Sequence, residues 1–562
     1  MEIEELVFIR DKKDLINSTK KIKIKEKSIF VCLTFEAFAE AKSNKLNYTY
    51  PYQLRNMHKT NFLHLGKKQA QNFIKNNFKN FIKEDISYIS SRFIIFFSQI
   101  IFDKTLIFSL VKLYKPNKII IFDEKIKSII EKGWNINKSF YYYKIIINNF
   151  FPKINLTFYE DEDDKFNKSI AKIFRLIQFD YIFLNLKNSL QIFLFKNLIL
   201  IDGFREKNIL KKKFINSFKS KNYTIITEYK NSIFLRLKYF FFQEKKIYII
   251  KKKKNLKKKI FGLNYFDLKV EIDSMIKFMN NYLSYQFFLI KNLKRKNFFF
   301  GIFQEKYDVN IAFKKAKIKT YQLPHGAIMT PELSPMIGDY NFFSNINQKI
   351  YHQKSKMFYG KFHIGGVPHI EKNKANNHKN YKNIIIFMKN MGMRRWEFDD
   401  YEKIMNILNY VANFSQKNNF KLIIKFHPSG GKHQFPYFKN SKFLKKKNIS
   451  LILNYDTDKL LRENEIFICL QETSVINQIV SMNKNLIFPL IHLNKNYIDN
   501  NIFKKIKQNF LIPKNLNEIG KYINQLKKGS LNFASNKTGF KSKFGTDSIN
   551  QINNFILQKE SL

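Results

Sequence analysis

Cysteine is nearly missing from this chain: Cys32 and Cys469 are the two in 562 residues. They are far apart in sequence, and each lies in an apolar run, FVCLTF and IFICLQ. That gives neither a disulfide framework nor a metal spacing, so both read as buried core thiols of a reducing compartment. Acidic residues are also scarce, 45 against 100 Lys and Arg, for a net charge of +55. Such a balance usually points to nucleic acid or an anionic membrane surface. Arginine, the residue of bidentate base contacts, is in short supply as well, because about nine of every ten cations are Lys. No zinc spacing, basic-zipper heptad or RNP-like aromatic signature accompanies the charge, and specific nucleic-acid recognition is not expected.

A long uncharged apolar run is a further absence. The longest, Phe93 to Phe102 (FIIFFSQIIF), is about half of the ~20 residues that a membrane span requires. The opening MEIEELVFIRDKKD is acidic where a signal peptide is basic. A cytoplasmic protein is expected. No internal repeat of roughly 20–50 residues is found.

What the chain does have is 44% hydrophobic residues, enough for sizeable cores. Apolar runs alternate with polar, helix-like stretches. Strand-like text occurs at Lys27 to Phe35, within KPNKIIIFDEK from Lys115, and at Tyr181 to Leu186, Leu198 to Asp202 and Tyr223 to Thr227. A second block of the same rhythm follows. It has strands at Asn383 to Met388, Phe420 to Phe426, Ser450 to Asn454 and Glu465 to Leu470, with a helix-like Phe398 to Phe414 after the first. The pattern predicts an α/β fold of parallel sheets covered on both faces. Two Rossmann-like domains facing a cleft are expected. The first covers residues 1–372 with insertions and the second 373–530. A segment at 531–562 ends in a short helix, Ile549 to Leu557, that could cross back onto the first half.

Three polar clusters stand where such sheets place ligand loops, at the ends of apolar runs. In YQLPHGA (321–327), Pro324 and Gly326 frame His325 at a strand end. An imidazole there can act as a base toward a hydroxyl or donate to a phosphate; a structural turn histidine is the alternative. In KLIIKFHP (421–428), followed by Ser429, Gly430 and Gly431, the period-2 rule puts Lys425 and His427 on one side of the strand. The glycines leave backbone N–H groups open to an anion, although a solvated lysine and a turn histidine would also fit the text. In QETSVINQIVSMNKNLIFP (471–489), Thr473 and Ser474 precede an apolar helix, where they can cap it and bind phosphate at once.

The ordered set PHG, IGGVP (364–368), KFHP, TS before a helix and NLIFP resembles the GT-B transferases of bacterial surface-polysaccharide assembly. The CDP-glycerol glycerophosphotransferases, polysialyltransferases and capsule-polysaccharide transferases are relatives by motif. The resemblance spans roughly Lys317 to Pro489 and implies catalytic roles for His325 and His427. It implies donor-nucleotide binding by Gly326, Lys425, Pro428, Ser429, Thr473, Ser474 and Gln478, with no metal or other cofactor. The implied partners are a nucleotide-sugar donor and a glycan or lipid-linked glycan acceptor. A nucleotide-sugar 2-epimerase of the same fold and a non-catalytic basic binding protein are the competing readings. The chain departs from the pattern at Gln478, where a Glu often binds the donor ribose, and at Asn483-Lys484-Asn485 in place of Gly-Lys-Pro. A neutral amide loses the charge-assisted hydrogen bond, which is about twice as strong.

Other candidates are weaker. Asp202 and Asp339 follow apolar text and could serve as bases, while EDEDD (160–164) reads as a solvated acidic run rather than a metal site. The basic stretch Lys251 to Lys259, interleaved with apolar residues at its flanks, would suit peripheral contact with an anionic membrane at its inner face. A solvated surface segment fits the same text.

Overall fold

A computed structural model describes residues 3–10, 12–21, 26–79, 83–124, 141–161, 198–202, 216, 224–227, 249–250, 259–260, 262–264, 268–269, 272–273, 276, 298–304, 307–323, 335–355, 359–368, 380–388, 399–427, 431, 434–440, 444–470, 474–482, 484–491, 510–531, 543 and 545–560. Tyr181 to Leu186 lies outside them.

The first part of the chain runs β1 (Glu5–Ile9), α1 (Lys12–Lys21), β2 (Ser28–Cys32), α2 (Phe35–Ser43), β3 (Tyr48–Thr49), α3 (Arg55–Lys59), α4 (Phe62–Asn77), β4 (Phe78–Lys79), α5 (Lys83–Tyr114), β5 (Lys118–Glu124), α6 (Tyr141–Phe150) and β6 (Asn155–Asp161). Its sheet has the order β3-β2-β1-β5-β6, parallel throughout. β1 and β2 are buried along their whole length, which is why four apolar residues follow one another in each; their first residues, Glu5 and Ser28, are buried as a hydrogen-bonded pair at 2.9 Å.

The second part contains β7 (Leu198–Asp202), β8 (Thr224–Thr227), β9 (Ile249–Ile250), β10 (Lys259–Ile260), β11 (Leu263–Asn264), β12 (Phe298–Phe303), α7 (Tyr307–Lys315), β13 (Lys319–Gln322), β14 (Tyr340–Phe343), α8 (Ile346–Ser355) and β15 (Lys361–Ile364). Six of these strands form a second parallel sheet, β15-β14-β13-β12-β7-β8. Short antiparallel ribbons join β4 to β9 and β10 to β11.

The third part contains β16 (Asn383–Phe387), α9 (Tyr401–Lys417), β17 (Lys421–Lys425), α10 (Phe435–Asn440), β18 (Ile449–Ile452), α11 (Thr457–Glu463), β19 (Ile466–Cys469), α12 (Ser474–Ser481), β20 (Asn485–Ile487) and α13 (Leu516–Lys527). Its parallel sheet has the order β18-β17-β16-β19-β20. A final helix, α14 (Gly545–Lys559), leaves the third sheet and packs Ile549, Ile552 and Ile556 on Ile199, Ile302, Tyr321 and Phe342 of the second. Glu560 receives the Tyr321 hydroxyl and pairs with Lys319 at 3.2 Å.

The fold is α/β and Rossmann-like, built on three parallel sheets, with the second and third tied together by α14. Read from sequence, residues 1–372 form one unit; strand pairing divides them into two sheets. Apolar periodicity marks strands without saying which of them exchange hydrogen bonds. The first sheet shares a core with the third: Val7, Phe30, Phe35 and Phe38 pack with Ile386, Tyr401, Ile404 and Phe426. Each Phe fully buried there contributes about 1.5–3 kcal/mol. On its other face the first sheet carries α4, α5 and α6, with Ile311 of α7 in the same cluster.

Within α5, Ser90–Tyr114 is long and apolar enough to cross a membrane, and 78% of its most apolar window is buried inside the fold. Asp103 ends the uncharged run in sequence, yet the helix continues past it; Asp103 is buried and accepts from Gln99 Nε2 at 2.7 Å. Both cysteines are buried and unpaired with each other, as expected.

α8 carries a fully enclosed histidine. His352 is 1% exposed, lies with its ring 5.0 Å from that of Phe343, and is pulled down to about pKa 3 by burial. The folded state holds it neutral while the unfolded chain protonates it near 6.5. Its contribution is therefore complete above about pH 6.5 and is lost as pH falls toward 3, by about 1.4 kcal/mol per unit. Denaturant titrations across this window should show a shallower pH slope in His352→Leu than in the wild type.

Candidate functional site

β16 has parallel neighbours on both sides: Phe387 is in register with Lys425 of β17 and with Cys469 of β19. All three strands therefore end at one edge. The chain order reverses between β16 and β19, the crevice where open α/β sheets bind ligands. Onto this edge open His427, just past β17, and the N-terminus of α12, just past β19.

Lys425 closes β17 and is 4% exposed. Its ammonium donates to the carbonyl of Leu453 at 2.7 Å and to that of Phe426 at 3.1 Å. Two of its three N–H groups thus hold the chain beyond β17 and β18, and burial lowers its pKa. The expectation of Lys425 and His427 as two donors facing one ligand gives way to a division of labour. Lys425 turns inward onto backbone oxygens, while His427 is exposed at the strand end. The period-2 rule sets the side of a strand, but a buried ammonium takes the nearest carbonyls because leaving it unpaired is costly.

The pKa of His427 is held below 6.5, first by partial desolvation and then by the charge of Lys425. At neutral pH the ring is therefore uncharged, with one nitrogen to donate and one to accept. The following turn is closed by Gly431, whose N–H donates to His427 O at 2.7 Å. A Cβ on Gly431 would lie 2.6 Å from that oxygen and 2.7 Å from Phe426 Cβ, so only glycine fits. Phe435 and Phe438 of α10 then pack on Phe426 at ring distances of 5.4 and 5.3 Å.

Two helix N-termini flank the crevice, and their charge differs. α9 has Asp400 as N-cap, accepting from Lys403 N at 3.2 Å, with Glu402 in its first turn and Asp399 buried beside it. The Tyr50 hydroxyl donates to Asp400 at 2.9 Å and that of Tyr48 to Glu402 at 2.7 Å, from the first sheet. Carboxylates already occupy the positive end of this helix dipole, and a ligand anion would meet like charge. α12 opens at Ser474 with no acidic residue in its first turn. The N–H groups of a first turn without carboxylates suit an anion, with Glu472 two residues before the helix in sequence.

Gln478, on α12, donates from Nε2 to Asp458 of α11 at 2.9 Å, so half of its amide ties two helices together. Lys484 caps the end of α11, donating to the carbonyls of Leu461, Arg462 and Asn464 at 2.6–3.2 Å and pairing with Glu465 at 2.9 Å. Lys484, the residue of 483–485 that matches the Gly-Lys-Pro pattern, thus has a structural role.

In the second sheet, β13 ends at Gln322 and Leu323 N donates to Phe303 O at 2.8 Å. Phe303 also pairs with Asp202, the last residue of β7. The strand that leads to His325 and the strand that ends in Asp202 therefore finish at the same edge, on either side of β12. Asp339 sits at the opposite edge, before β14. Its carboxylate accepts from Thr320 N and Oγ1, both at 2.9 Å, and pairs with Lys314 at 3.5 Å, which removes it as a base at the ligand edge.

His325, Gly326, Pro428, Ser429 and Thr473 lie outside the described residues, as does most of Lys251 to Lys259. Lys425, His427, Ser474 and Gln478 share one sheet edge. Among the described residues no group of three or more His, Cys, Asp or Glu could hold a metal ion. The phenol–carboxylate contacts of Tyr48 and Tyr50 were not read from sequence. Their partners are some 350 residues away, and no local pattern links them.

No protein-family model and no curated protein sequence matches the chain. Among solved structures it is similar to the UDP-GlcNAc 2-epimerase of Neisseria meningitidis bound to UDP-GlcNAc, at 13% identity, with 65% of this chain and 100% of that chain covered and a TM-score of 0.39. It is also similar to MurG of Acinetobacter baumannii (10%, 65% and 99%, TM-score 0.36). The glycosyltransferase SnogD of Streptomyces nogalater is a further match (8%, 65% and 100%, TM-score 0.36). The fold assignment rests on strand order and connectivity, not on these scores.

Replacing Lys425 by Met removes the charge that lowers the His427 pKa. Histidine NMR should show the His427 midpoint rising toward 6.5, while stability falls by about 1–3 kcal/mol for each carbonyl left unpaired. An unchanged midpoint would contradict the coupling.

Proposed function

We propose that this chain is a GT-B glycosyltransferase that moves a sugar, or a polyol phosphate, from a nucleotide-activated donor to a glycan acceptor in surface-polysaccharide assembly. The observation that carries the proposal is His427, at the switch-point edge of the third sheet beside α12, whose first turn has no acidic residue. That combination suits a nucleotide diphosphate. The helix N–H groups, with the hydroxyls of Thr473 and Ser474, meet the phosphate oxygens, and the neutral imidazole donates a further hydrogen bond.

Donors fixed before reaction stabilise the negative charge that grows on the departing nucleotide. In this reading Lys425 acts from behind, by keeping His427 neutral and the turn in place, and Gln478 offers at most its carbonyl oxygen. The acceptor hydroxyl comes from the second sheet, where His325 or Asp202 takes its proton. Gly326, Pro428 and Ser429 contribute to donor binding in the same reading. A lipid-linked acceptor would bring the chain to the inner membrane face, with Lys251 to Lys259 against anionic headgroups.

Turnover of nucleotide-sugar donors with and without glycan acceptors tests the reading. His427→Ala should lower kcat by roughly 10²–10³-fold with unchanged thermal stability, and Thr473→Val with Ser474→Ala should weaken donor binding. Retained activity in both variants would remove the third sheet as donor unit. Turnover of the nucleotide sugar with no acceptor present would select the epimerase instead.

A further inference from the structure

The first sheet is additional to the two that supply the proposed donor and acceptor edges, yet its residues reach the His427 turn. We propose that Phe35 of α2 is a positioning residue for His427, acting through a stack of rings that crosses from the first unit to the third.

Phe35 is 2% exposed, and its ring lies parallel to that of Phe438 in α10, at 4.9 Å and 3°. Phe438 in turn packs at 5.3 Å on Phe426, the residue that precedes His427. The series of rings, tilted by 50° at its second contact, thus ends one residue from the imidazole, on the turn closed by the Gly431 N–H to His427 O bond, where a Cβ on Gly431 would meet both His427 and Phe426. A ring face offers the next ring one well-defined seat, so displacement at one end moves the other.

The near end of the stack is anchored. Thr34, the N-cap of α2, accepts from Ala37 N at 3.2 Å, and its hydroxyl donates to the carbonyl of Arg10. Arg10 is locked by Asp14, with Nε and Nη2 each 2.7 Å from a carboxylate oxygen and its own N–H at 2.9 Å. This buried ion pair fills the turn after β1, the central strand of the first sheet, where related folds keep a ligand loop. Its place in the molecule is to hold the first turn of α2, and so Phe35, against α10. Tyr401 braces the arrangement from α9, edge-on to Phe35 at 5.8 Å and stacked on Tyr50 at 5.3 Å.

The test uses the full chain, with histidines selectively labelled and the His427 signal assigned by its loss in His427→Gln. In Phe35→Leu, which keeps an apolar side chain but removes the stack, the His427 resonance should shift or broaden and its titration midpoint should change, with His58 and His363 unaffected. Phe438→Leu should give the same change, and the double variant no more than either alone. An unchanged His427 signal in both single variants would overturn the proposal, as would full additivity. If Phe35→Leu does not fold, Phe35→Met and Phe438→Leu carry the same comparison.

The catalytic consequence rests on the transferase reading: kcat should fall by roughly 10- to 100-fold with the donor KM little changed. NMR changes in a protein without turnover would sink the transferase reading and leave the positioning intact. Turnover with unmoved histidine signals would do the reverse.

Discussion

Parallel pairing on both sides of β16 is the constraint from which the site follows. Parallel strands must all end at the same edge, so loops distant in sequence, after Lys425, after Cys469 and after Phe387, are delivered to one place. The charge of the helices that follow differs. β16 is followed by α9, whose N-cap Asp400 and first-turn Glu402 are bound by tyrosines. β19 is followed by α12, whose first turn has no carboxylate.

Lys425 shows how a buried cation shapes chemistry without touching a ligand. Its desolvation is compensated by two carbonyl oxygens, which fixes the ends of β17 and β18 together. Burial is the larger cause of the lowered His427 pKa, and the field of Lys425 two residues away adds to it. The net charge of +55 belongs to the whole chain. This edge carries a histidine whose pKa is lowered by burial and by Lys425, a helix terminus, and one lysine turned inward.

Much of the scaffold was legible in the sequence, for a physical reason. Strands buried on both faces must be continuously apolar, so Leu198–Asp202 was bounded correctly and Asn383 to Met388 and Phe420 to Phe426 were each placed to within one residue at either end. Helix α9 begins at Tyr401, later than Phe398, because Asp400 is the residue whose side chain can cap it. Contacts between distant segments were not legible. Nothing in the text YTYPY announces that Tyr48 and Tyr50 will meet Glu402 and Asp400, or that residues 1–372 will divide into two sheets. Asp339 failed as a candidate base because a strand's two ends look alike in sequence when short apolar runs flank both. Gln478 departs from the binding motif in sequence, and the structure gives it a contact that ties α12 to α11.

The most direct measurement is a crystal structure of the chain grown with a nucleoside diphosphate sugar. The account predicts the diphosphate over the N-terminus of α12, within hydrogen-bond distance of His427, with the sugar facing the carboxyl edge of the second sheet. A diphosphate seated on the first sheet, or at the N-terminus of α9 after displacement of Tyr50 from Asp400, would contradict it.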